Sequence, residues 1–121
     1  MMKKILPAAF LLISLFATWT FAGEDPEKKK IEFLISSIEN VREAKFIRNG
    51  VEYSAADAAK HLRMKLEKAG GRVKTADDFI RLCASRSYIT GAPYLIKLPD
   101  GKTVTSENFL RAKLREYLLR K

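Results

Sequence analysis

Two stretches of this chain carry the same unit, and that repetition constrains the fold more than any other feature. The first runs Phe46-Ile47-Arg48-Asn49-Gly50, then Ser54, then Leu62-Arg63-Met64-Lys65-Leu66. The second runs Leu95-Ile96-Lys97-Leu98-Pro99-Asp100-Gly101, then Thr105, then Leu110-Arg111-Ala112-Lys113-Leu114. Asn49-Gly50 lies between two β-prone runs, and its turn needs positive φ at both central positions, so it predicts a hairpin. Pro99-Asp100-Gly101 predicts a second turn. Each unit reads as hairpin, hydroxyl helix cap, and helix bearing Leu-Arg-x-Lys-Leu. The glycines are 51 residues apart and the Leu-Arg pairs 48, so the helical stretch before the pair differs by three residues. Two such hairpins can pair into one four-stranded antiparallel sheet with helices covering one face.

The rest of the pattern is helical. Asp25-Pro26-Glu27 supplies an N-cap, a proline at the first helical position and an acid in the first turn. Ile31, Leu34, Ile35 and Ile38 then recur at helical spacing. Ser54-Ala55-Ala56-Asp57 opens a second helix with Ala55, Ala58, Ala59, Leu62, Leu66 and Ala69 on one face, ended by Gly70-Gly71. Thr75-Ala76-Asp77-Asp78 opens a third, with Phe79, Ile80, Leu82 and Cys83 apolar. Strands are expected over 94–97 and 102–104. A last helix is expected from Thr105 or Ser106 toward Lys121, with Phe109, Leu110, Leu114, Tyr117 and Leu118 inward. The expected class is α+β, with about four helices and two β-hairpins.

The N-terminus has a different grammar. Lys3 and Lys4 precede the apolar run Ile5–Phe16, and Thr20-Phe21-Ala22 places small residues three and one before a cut between Ala22 and Gly23. This predicts a cleavable secretion signal over residues 1–22 and a single compact basic domain over 23–121. The competing reading is a retained anchor, since the uncharged run Ile5–Ala22 is at the lower edge of a membrane span. Thr18, Thr20 and the polar Gly23-Glu24-Asp25 favour cleavage. No cysteine lies near the cut, which closes the lipoprotein route. The expected location is periplasmic, with no membrane span left after cleavage.

The chain carries a formal charge of +9, and residues 1–22 hold two lysines and no acid, so seven of those charges stay with the domain. In an exported protein the anions that such a surface meets are phospholipid head groups and envelope polymers, so nucleic acid is not an expected partner. The acids are interspersed with the bases along the chain, which is also how a small domain stays soluble. The lone Cys83 excludes an intrachain disulfide, and its helical phase with Ala76, Phe79 and Ile80 reads as a buried structural thiol.

No catalytic constellation is legible. There is one histidine, no Gly-x-Ser-x-Gly elbow, no metal-ligand spacing and no cofactor motif. His61 occupies the place of Phe109 in the repeat, which reads as a packed boundary side chain rather than a base or ligand. Gly70-Gly71-Arg72-Val73-Lys74-Thr75 departs from a phosphate loop in its ending and lacks the preceding strand. The most suggestive surface is the segment 85–93, where Ser85, Arg86, Ser87, Tyr88 and Thr90 combine hydroxyls, a guanidinium and a ring suited to an anion or a peptide. The alternative is a connecting loop whose hydroxyls satisfy its own backbone.

Several strings are similar to the YfeK-like family: 27–34, 46–50, 61–66, 72–80 (Arg-Val-Lys-Thr-Ala-Asp-Asp-Phe-Ile) and 91–96 (Gly-Ala-Pro-Tyr-Leu-Ile). The likeness covers nearly all of the domain. It implies a small bacterial exported protein with no assigned function, and it supplies no catalytic residue. The expected role is a non-enzymatic periplasmic binding or interaction module acting on an unknown protein or an anionic envelope component. The alternatives are a protein held electrostatically to anionic lipid or wall polymer, and an enzyme with dispersed residues.

Overall fold

The computed structural model describes residues 25–120; the secretion signal expected over 1–22 lies outside them. Helix α1 (Pro26–Glu39) begins as its sequence demands, with Asp25 Oδ1 accepting the Glu27 amide at 2.9 Å. Its stripe of Ile31, Leu34, Ile35 and Ile38 is buried along the whole length. Strands β1 (Lys45–Arg48) and β2 (Val51–Tyr53) form the first hairpin. Asn49 and Gly50 sit at φ +52° and +80°, the pair of left-handed conformations that a tight type I′ turn requires. Helix α2 (Ala55–Ala69) follows, capped by Ser54 Oγ on the Asp57 amide and closed by Gly70 at φ +52°. Helix α3 (Ala76–Cys83) carries a full capping box between Thr75 and Asp78. The second hairpin is β3 (Leu95–Lys97) and β4 (Thr103–Thr105), and Thr105 caps helix α4 (Ser106–Leu119) as Ser54 caps α2.

The two hairpins do pair into one antiparallel sheet, ordered β2-β1-β3-β4. Their first strands meet in the middle: Phe46 opposes Ile96, flanked by Lys45 with Lys97 and Ile47 with Leu95. An approximate two-fold axis therefore runs through the Phe46–Ile96 pair. Both side chains are buried, and with their partners Tyr53 and Val104 they face the helices. Lys45, Glu52, Lys97 and Thr103 occupy the opposite, solvent-facing side.

The repeat is offset by one residue from the match of its strings, which aligns Ile47 with Ile96. The second turn is longer, closed by the Leu98 amide on Lys102 O and the Gly101 amide on Leu98 O. Turn length sets register, and a slip of one reverses every side chain, so Phe46 rather than Ile47 is the counterpart of Ile96.

Helix α1 packs between α2 and α4, and α3 touches all three. Phe79, Ile80, Leu34, Ile35, Ile96 and Leu110 form the driest part of the core. Cys83 is fully buried among them, and that burial pushes its thiol pKa up. No helix among the described residues is long and apolar enough to cross a membrane.

A single carboxylate ties the first helix to the third. Glu27 Oε1 accepts the Ala76 amide at 2.8 Å and Oε2 accepts Lys30 Nζ at 2.8 Å. Lys30 first, and the Ala76 amide second, hold the Glu27 carboxyl below its ordinary pKa. A depressed carboxyl stabilises the fold above its unfolded pKa of about 4.3 and ceases to as pH falls through the folded value. Glu27→Ala should therefore lower stability by about 1 to 2 kcal/mol at pH 7, with a smaller deficit at pH 3. Denaturant melts at the two pH values check this, and an equal deficit at both would show that the carboxylate charge contributes nothing.

Candidate functional site

Helix α2 presents an irregularity that its sequence hides. The buried face Ala55, Ala59, Leu62 and Ala69 includes Lys65, three residues after Leu62 and four before Ala69. Lys65 is 8% exposed, yet it makes no ion pair with any carboxylate among the described residues. Its Nζ donates to Tyr94 Oη at 2.8 Å and to Arg86 O at 3.4 Å. It also lies 4.2 Å from the centre of the Tyr88 ring and 4.8 Å from that of Tyr94. Burying an unpaired ammonium costs several kcal/mol, and two ring faces at up to about 2 kcal/mol each offset part of that. Burial accordingly pulls the Lys65 pKa down.

One helical turn earlier stands His61, its ring edge-on to Tyr94 at 6.2 Å between centroids. His61 Nε2 is buried with no hydrogen-bond partner. Desolvation, then the charges of Arg48, Lys65 and Lys68, lower its pKa. Arg48 reaches in from β1, stacked 5.1 Å over Tyr53 and donating to Tyr53 Oη at 3.2 Å. Hairpin 1 and α2 thus enclose an apolar groove of about 230 Å³, walled by Arg48, Tyr53, Ala58, His61, Leu62 and Tyr94. Asp57, Lys60 and Met64 lie along it.

The loop singled out by its composition is bound up with its own backbone. Ser85 Oγ donates to Ile80 O at 2.6 Å. Ser87 Oγ accepts the Ile89 and Thr90 amides and the Asn49 side-chain amide. Thr90 Oγ1 donates to Asn49 Oδ1 at 2.6 Å and accepts the Ala92 amide. The hairpin turn therefore clamps the loop, and all three hydroxyls are engaged. Tyr88 is 65% exposed, but its hydroxyl donates to Leu82 O and its ring covers Lys65. Arg86 is exposed and contributes its carbonyl to Lys65.

Loop and groove are thus joined through Lys65, the lysine of the Leu-Arg-x-Lys-Leu repeat, whose burial that motif does not announce. The residues 48, 53, 61, 65 and 94 come from three separate segments. Only one signal for them exists in the chain itself: a lysine in phase with Leu62 and Ala69 on an apolar stripe. Among the described residues no cluster of three or more His, Cys, Asp or Glu side chains could hold a metal ion.

The description "Family of unknown function (DUF5329)" matches residues 25–118. A relative described as "Uncharacterized protein YfeK", from Salmonella typhimurium, is 34% identical over 93 residues, which is 77% of each chain. No solved structure matches.

Two outcomes follow from this geometry. Lys65→Met keeps the length of the stem and removes the buried charge, so stability should stay within about 1 kcal/mol of the parent or rise. A loss above about 3 kcal/mol in a denaturant melt would show instead that the tyrosine cage makes the charge a net stabiliser. The His61 imidazole should titrate by NMR below its ordinary value of about 6.5, and Arg48→Met should move it back up. Because the folded pKa is depressed, His61 weakens the fold only as pH falls below the unfolded value. An imidazole unmoved by Arg48→Met would mean that this charge is not felt.

Proposed function

We propose that this chain, which belongs to the DUF5329 family of unknown function, is an exported, non-enzymatic binding module whose ligand sits in the groove between hairpin 1 and α2. The observation that carries this reading is the conjunction of an apolar hollow with cationic groups left without acids. Arg48 makes no ion pair among the described residues, Lys65 none either, and His61 Nε2 has no partner. Unsatisfied polar groups beside apolar walls are a common composition of ligand pockets. The non-enzymatic reading is supported by His61 itself, whose charged neighbours are cations rather than an acid that would orient it as a base. Export is supported by the positive, apolar and small-residue pattern of residues 1–22.

A second reading draws on the end of α4. Leu118 and Leu119 are exposed there beside Arg115 and Arg120, a pairing suited to an anionic lipid surface. Binding of that kind to vesicles with anionic head groups would fall steeply with added salt.

A photo-crosslinking amino acid at Met64, which is exposed along the groove, tests the first reading in living cells. Lys97, on the opposite side of the sheet, serves as the control position. Adducts at 64 and none at 97 are the expected outcome, on a mature protein whose first residue is Gly23. Equal labelling at both positions would count against the groove, and an intact Met1 on envelope protein would count against cleavage.

A further inference from the structure

The groove has a charge, a size and a guanidinium with idle donors, and together these select a chemical class. Its volume of about 230 Å³ is half again that of a roughly 150 Å³ cavity that admits benzene, so it suits a body of on the order of ten non-hydrogen atoms. Ala58, Leu62 and the Tyr94 ring supply apolar wall. Among the described residues Arg48 has one N–H taken by Tyr53 Oη and none taken by a carboxylate, which leaves guanidinium donors for a ligand.

The geometry points to a small monocarboxylate with a flat apolar body, its two oxygens taken by the Arg48 guanidinium. A planar carboxylate matches the fork of an arginine better than a point charge would. Lys65, beneath Tyr94, adds positive potential and reaches no acid among the described residues. Asp57 on the groove opposes a second negative charge on the ligand, which favours a monoanion over a phosphate-like dianion. A cationic ligand would meet two cations on the groove, Arg48 and Lys60, against the one carboxylate of Asp57.

This inference rests on the groove being the binding site, and its test separates the two claims. Three probes of one shape are titrated into the isotope-labelled full chain and followed by NMR: 3-phenylpropionate, 3-phenylpropanamide and 3-phenylpropylamine. The expected result is shifts at groove residues and at the His61 imidazole, with the carboxylate at least tenfold tighter than the amide and the amine without effect. Arg48→Met should cut the preference for the carboxylate over the amide from at least tenfold to less than about twofold. If amide or amine binds the groove as tightly as the carboxylate, the anion inference falls while the groove stands. If none of the three moves groove resonances, the inference fails, and crosslinking at Met64 decides the groove separately.

Discussion

The pairing of β1 with β3 is the contact on which the rest of the molecule depends. Each hairpin alone is too short to be stable in water, since two-stranded sheets are marginal at best. Joined through Lys45–Lys97, Phe46–Ile96 and Ile47–Leu95, they become a four-stranded sheet with one apolar face. That face is what α1, α2 and α4 can bury against. The approximate two-fold axis through Phe46 and Ile96 also explains why the chain repeats itself: two similar hairpin–helix units need only one new interface to close a core.

Breaking that symmetry is what makes a site. At corresponding positions one unit places His61 and the other Phe109, each directly before a buried leucine. Lys113 leans on Phe109 of its own helix at 5.5 Å and pairs with Glu116. Its counterpart Lys65 is buried, and among the described residues its Nζ meets only tyrosines and a carbonyl. The difference comes from the segment between α3 and β3, which has no equivalent in the first unit. It brings Tyr88, Tyr94 and the Arg86 carbonyl to Lys65, and Asn49 of the first hairpin turn holds it there.

Much of the architecture was legible because it is governed by local rules. Asp25, Ser54, Thr75 and Thr105 cap the four helices at the positions their hydroxyls and carboxyls predict. Asn49-Gly50 makes the turn that its φ preferences require. The site was far less legible. A lysine breaks a hydrophobic pattern, so Lys65 reads as surface even when its phase places it inside. Loop hydroxyls look available in a string of letters, whereas Ser85, Ser87 and Thr90 are each consumed by a backbone group or by Asn49.

Composition and periodicity by themselves determined the α+β class, the boundaries of the helices, the two turns and the burial of Cys83, because each follows from a residue and its near neighbours. Only the tertiary structure decided which residue of β1 opposes Ile96, and only it assembled Arg48, Tyr53, His61 and Tyr94 around one groove, with Lys65 bonded to Tyr94 behind them. The physical reason is distance along the chain. Register depends on the full length of a turn, and a buried charge depends on rings contributed from 23 and 29 residues away. Neither is fixed by spacing alone, since the energy that sets them is desolvation within the packed core.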